Sequence, residues 1–87
     1  MSKHETYKHA IEKYGIEPQL RQLQEECAEL IVAINHYCRD NTKVQGIIEE
    51  IADTEIMIEQ MRLHFSSAMI DAIKEIKIER LEERIRK

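Results

Sequence analysis

Proline occurs once and glycine twice in 87 residues, and tryptophan does not occur at all. So few turn formers allow few connections, and long helices are expected instead. Aromatic residues are only 5% of the chain; the apolar 43% is mostly Ile, Leu and Met. No uninterrupted apolar run is long enough to cross a bilayer, and His4, Glu5 and Lys8 break up the stretch after Met1. The reading is no signal peptide, no membrane span and a cytoplasmic location. An excess of positive charge is also missing. The 13 Lys and Arg stand against 17 Asp and Glu, a net charge of −4, which argues against a nucleic-acid-binding face. The two cysteines, Cys27 and Cys38, are eleven residues apart on one predicted helix. That is about 16 Å at 1.5 Å per residue, too far for a bridge. They read as reduced core residues.

What is present is helical periodicity. The length suits one small domain, residues 1–87, with a core that is marginal alone. Tyr7, Ala10, Ile11 and Tyr14 mark a first helix from Ser2 to Tyr14, stopped by Gly15. Pro18 suits the first turn of a second, which runs to Tyr37 or Cys38. Its apolar face is Leu20, Leu23, Cys27, Leu30, Ile31, Ile34 and Cys38. After a polar turn, Thr42 and Gln45 fit a capping box for a third helix starting at Lys43 and reaching His64 or Phe65. Its main face holds Val44, Ile47, Ile51, Ile58, Met61 and Phe65. Ala52, Ile56 and Leu63 form a second stripe that calls for a second partner, expected from another subunit. Ser66 or Ser67 caps a fourth helix, Ala68 to Arg84 or beyond. The fold class is all-α: a bundle of about four helices, oligomeric.

Two segments carry the chemistry. EECAELIVAI (Glu25 to Ile34) and EEIADTEIMI (Glu49 to Ile58) align without a gap, 24 residues apart. In a helix, positions i and i+3 share a face, so Glu26 projects with Glu29, and Glu50 with Asp53. Like charges so spaced cost a bare helix about 0.2–0.5 kcal/mol per pair. Packed antiparallel across the turn at Arg39 to Thr42, the two pairs sit at similar heights. Four carboxylates there need a counter-ion, or some take up protons. Oxygen-only ligands favour Mg²⁺ or Mn²⁺. No His stands three residues after Glu26 or Glu50, which argues against a di-iron site. The bland alternative is a solvated helix flank.

Glu-x-x-Glu (Glu26, Glu29), a spacer, then Glu-x-x-Asp (Glu50, Asp53) resembles the signature of the all-α nucleoside triphosphate pyrophosphohydrolases, the MazG-like group. The likeness covers roughly Gln19 to Arg62. It implies Mg²⁺ held by these four acids, cleavage of a nucleotide between the α and β phosphates, and a homodimer or homotetramer with the site in a four-helix bundle. The Trp often seen in the family's first helix is absent, and Tyr7 or Tyr14 stands there. The run Thr54, Glu55, Ile56, Met57 lacks the His usual in phosphoribosyl-ATP pyrophosphatases, which disfavours that substrate.

The resulting expectation is a Mg²⁺-dependent hydrolase that releases pyrophosphate from (d)NTPs, as in nucleotide-pool house-cleaning. Mg²⁺ offsets phosphate charge and acidifies the attacking water, with Glu29 a candidate to take its proton. There is no Gly-rich phosphate loop, so side chains must help. Gln22, Lys74, Lys77 and Arg80 are the candidate substrate contacts, with Arg84 and Gln19 behind them. Glu25 and Glu49 point away, and His4, His9, His36 and His64 show no metal-ligand spacing. The rival class is a non-enzymatic helical module that dimerises or binds a partner through its apolar stripes.

Overall fold

In the computed structural model, which describes residues 1–87, Ser2 opens the first helix. Its hydroxyl accepts the Glu5 N–H at 3.0 Å, satisfying one of the donors that a helix start leaves free. This helix, α1, spans Lys3–Tyr14 and ends at Gly15, whose φ of +90° is readily adopted only by glycine. The next helix, α2, follows at once over Ile16–Arg39, with Pro18 in its first turn. A third, α3, spans Val44–Phe65, and a fourth, α4, spans Ser67–Arg86. No strand is present, and no helix is long and apolar enough to cross a membrane.

The turn between α2 and α3 differs from expectation. Asp40 Oδ1 accepts both the Thr42 N–H, at 3.0 Å, and the Thr42 hydroxyl, at 2.7 Å. These two bonds hold the Asp40 carboxyl below its ordinary range. These bonds tie Thr42 into the turn, and the residue at the cap position is Lys43, so the Thr42–Gln45 capping box does not form. The third helix starts one residue later, after Lys43, with no side-chain cap. The expected serine cap does form: Ser66, at φ +130°, accepts the Met69 N–H at 3.2 Å. Arg62 donates to Ser67 Oγ at 2.9 Å and pairs with Asp71, fixing the base of α4. Beyond that base α4 diverges; it has no buried residue.

Antiparallel pairing of α2 and α3 makes the body of the fold. Gln19 Nε2 donates to Gln60 Oε1 at 2.8 Å, and the Thr54 hydroxyl donates to the Glu26 carbonyl at 3.5 Å. The buried residues of α2 are Gln19, Glu26 and Ala33, seven apart, flanked by half-buried Ile16, Leu23, Leu30 and Tyr37, also seven apart. On α3, half-buried Ile47 precedes buried Thr54 and Met61, and half-buried Glu50 precedes buried Met57. Both helices thus meet along a seven-residue repeat, the register of a coiled-coil seam. The first helix covers the far end. Tyr7 donates to Glu59 Oε2 at 2.6 Å, which raises the Tyr7 pKa and lowers that of Glu59, and Lys3 lies 3.6 Å from the same oxygen.

This seam is rotated from the apolar faces read in the sequence. The expected core residues Cys27, Ile31, Ile34 and Cys38 are exposed, as are Val44, Ile51, Ile58 and Phe65. The cysteines are therefore free but not core residues. Leu63, assigned to a stripe awaiting another subunit, meets α1 instead, beside Ile11. Only 8 of the 87 residues are buried, and four of those are polar or charged, so one chain leaves its main apolar stripe uncovered.

The Gln19–Gln60 bond is the buried polar tie at the α1 end of the seam. Gln19→Ala should lower the unfolding free energy by about 1–3 kcal/mol, because the Gln60 amide is left unpaired. Replacing both by Leu should cost much less. Urea denaturation checks this; a double variant weaker than Gln19→Ala would contradict it.

Candidate functional site

Glu26 lies in the seam itself, three turns from either end of the paired region, and its carboxyl is buried with it. Gln22, one turn earlier, donates to Glu26 Oε1 at 3.1 Å. Glu26 Oε2 is closed to water and has no hydrogen-bond partner. Glu50 faces it from α3 in the same condition: its Oε2 is buried and unpartnered. Glu29, the exposed member, completes the group. One carboxylate oxygen each from Glu26, Glu29 and Glu50 lie within 4.8 Å of one another. Asp53 stands beside Glu26, where both line a recess with Gln22, Ile56 and Met57. One chain, from two helices, thus assembles the four acids singled out by their spacing.

The electrostatics follow from that assembly. Burial is the main cause that raises the Glu26 pKa, with the charges of Glu29 and Asp53 adding to it. Burial likewise leads for Glu50, followed by Glu29, Glu26 and Asp53. No cationic side chain lines either recess at the cluster. Six oxygens around Mg²⁺ at about 2.1 Å stand about 3 Å apart as neighbours and about 4.2 Å apart as opposites. The three-carboxylate spread needs only small side-chain movement to match. Hard, oxygen-only donors of this kind suit Mg²⁺ or Mn²⁺.

The other expected site residues divide. Gln22 is at the cluster and holds Glu26. Lys74, Lys77 and Arg80 are exposed on α4 and line neither recess at the acids, so the single chain does not bring them there. Gln19, a weaker suggestion for a substrate contact, is buried in the seam instead. Glu25 and Glu49 are exposed, as expected. Two residues near the acids were not found by reading the sequence for ligand motifs. His36 and Gly46 line a groove of about 400 Å³ with Glu29, Glu50, Ala28, Val32 and Ala33. The signal for both was the seven-residue register: His36 stands seven after Glu29, and Gly46 seven before Asp53.

Comparisons of the chain with protein-family models, curated proteins and solved structures find no match.

The raised pKa values carry a pH dependence. Glu26 and Glu50 bind protons more tightly in the folded chain than in the unfolded one. Their contribution is fully favourable below the ordinary value of 4.5 and is lost as pH rises through the raised values. With a chelator present, wild-type stability should fall as pH rises from 4.5 towards neutrality. Glu50→Gln should show a shallower fall and exceed the wild type at pH 7. Denaturant titrations across that range check it; identical slopes would mean that the carboxylates do not repel one another in the fold.

Proposed function

We propose that the chain is a Mg²⁺-dependent nucleotide pyrophosphohydrolase, with Glu26, Glu29, Glu50 and Asp53 as its metal-holding acids. The observation that carries this reading is the pair of buried, unpartnered oxygens on Glu26 and Glu50 within one carboxylate cluster. A buried charge is tolerated when paired or bound to metal, and here no protein cation is supplied. The MazG-like wording of EECAEL and EEIADT supports the same conclusion from the sequence. Mg²⁺ there supplies charge neutralisation for the phosphates and a more acidic water.

The chain's own residues have distinct parts. Glu26 and Glu50, fixed in the seam, would hold the cation. Gln22 holds Glu26 in place through its amide. Glu29 is exposed while its oxygen remains in the cluster, so it is the acid that an incoming water reaches. Glu29 takes a proton from that water as the water oxygen bonds to the α-phosphorus. The bond from the α-phosphorus to the bridging oxygen breaks, and pyrophosphate leaves with the electron pair. Association belongs to the same reading. Val44, Ile51, Ile58 and Phe65 form an exposed stripe with a period of seven, beside exposed Ile31 and Ile34 of α2. A second copy covers this stripe in a homodimer, with a homotetramer as the larger form.

Two outcomes test the reading. Mg²⁺ should raise the melting temperature at constant ionic strength, and a (d)NTP panel followed by phosphorus NMR should give the monophosphate and pyrophosphate. Glu26→Gln, Glu29→Gln, Glu50→Gln and Asp53→Asn should each lower kcat/KM by at least about tenfold, or 1.4 kcal/mol. Glu25→Gln and Glu49→Gln should cost much less. Orthophosphate as the first product would refute the cleavage position, and Mg²⁺ binding without turnover would favour a partner-binding module. Separately, light scattering behind size exclusion should find a dimer or tetramer at micromolar concentration, and Ile51→Glu should weaken it. A stable wild-type monomer would sink the association.

A further inference from the structure

We propose that the groove between His36 and the acid cluster receives the nucleobase of the substrate, with His36 contacting the edge of the ring. This rests on the nucleotide reading above. The groove shares Glu29 and Glu50 with the acid cluster, so a ligand whose phosphates lie at the acids is already at its mouth. Its walls away from the acids are Ala28, Val32 and Ala33, with His36 as the polar group at the other end. At about 400 Å³ it falls at the lower end of the range of about 300–1,000 Å³ for small-molecule sites.

Charge decides which half of a nucleotide belongs there. No Lys or Arg lines the groove, and two glutamates bound it. A polyphosphate tail without its cation would be repelled. A flat, uncharged ring gains apolar contact from Ala28 and Val32 and a hydrogen bond from the imidazole, which both donates and accepts when neutral. The second recess, lined by Gln22, Glu26, Asp53, Ile56 and Met57, is smaller, at about 220 Å³, and has two acids among its five lining residues.

Gly46 keeps the groove open. It stands in the first turn of α3, where glycine costs a helix about 0.8–1.0 kcal/mol relative to alanine at an interior position and less near the end. No close packing demands it, because a Cβ built there meets nothing within 4 Å. Its value is the empty space: a long side chain at this position enters the groove that His36 and Ala33 line from α2. The main apolar stripe lies across the seam from the groove, at the positions four after Ile47, Thr54 and Met61 rather than one before them. Association through that stripe leaves the groove accessible.

The test compares two probes on the Mg²⁺-loaded full-length chain by calorimetry. One set is nucleoside triphosphates with a methylene bridge between the α and β phosphorus atoms, in four bases. The other is inorganic tripolyphosphate, which has no ring. Gly46→Met should weaken the nucleoside probes at least tenfold and leave tripolyphosphate within about twofold, while melting at or above the wild type. His36→Ala should change the ratio of affinities among the four bases by at least threefold, again sparing tripolyphosphate. In ¹⁵N NMR, the His36 ring, assigned by its loss in His36→Gln, should shift with nucleoside probes but not with tripolyphosphate. Wild-type binding of nucleoside probes that both variants leave unchanged, or weakening of both probe classes alike, overturns the groove assignment alone. A wild-type chain that binds Mg²⁺ but neither probe overturns the nucleotide reading, and this inference with it.

Discussion

Glu26 and Glu50 place two carboxylates in the layer where two antiparallel helices must touch, and the rest of the arrangement accommodates that. Where a coiled-coil seam normally stacks aliphatic side chains, this one presents acid, amide and hydroxyl at Glu26, Glu50, Gln19, Gln60 and Thr54. Each polar group but the acids finds a partner nearby. Gln19 meets Gln60, and Thr54 meets the backbone of α2. The two glutamates keep one oxygen each without a partner. Half of the buried residues are polar or charged, so the seam yields less hydrophobic stabilisation than an aliphatic one. The α1 contact at Tyr7 and Glu59 therefore matters more than its position at the end of the pair suggests.

Helix number and order were legible because each boundary has a local cause. Ser2, Gly15 and Ser66 act through their own backbone neighbours, and such signals need no knowledge of tertiary contacts. Thr42 does not cap α3 for a local reason: the turn that holds it is one residue longer than the capping box requires. Asp40 is two residues away and closes an Asx turn on the Thr42 N–H, which leaves Thr42 inside the turn and Lys43 at the cap position. The matched heights of the acid pairs were legible as well, because a short turn leaves almost no freedom in how two antiparallel helices register.

Which face turns inward was not legible from hydrophobicity. Of the expected apolar faces, Leu23, Leu30, Ile47 and Met61 turn into the seam, while Cys27, Ile31, Ile34, Cys38, Val44, Ile51, Ile58 and Phe65 stay exposed. Reading Ile, Leu, Val and Cys as core assigned Cys27, Ile34, Ile51 and Phe65 to the intrachain seam, from which they are absent. Amphipathicity reports every surface that a helix can cover, and the contacts within this chain cover only part of the apolar surface of α2 and α3. The polar residues gave the better clue. Gln19, Glu26 and Ala33 are spaced by seven, like Glu50 and Met57, and that repeat marks the line of contact.

Around that line the repeat sorts the surface into three strips with different chemistry. On one flank Gln22, Glu29 and His36 of α2, spaced by seven, lie with Gly46 and Asp53 of α3, also seven apart. In the seam lie the buried acids. On the other flank Val44, Ile51, Ile58 and Phe65 form the exposed apolar stripe. The polar flank and the seam touch directly, since Gln22 donates to Glu26 and Glu29 shares a cluster with Glu26 and Glu50, whereas the apolar stripe lies on the opposite side of the α3 seam positions. The apolar flank can supply stability by association without filling the acid centre, and the polar flank stays open to solvent and to small ligands. Moving the acids outward would relieve their repulsion and give water as a partner to the oxygens of Glu26 and Glu50 that are unpartnered in the seam.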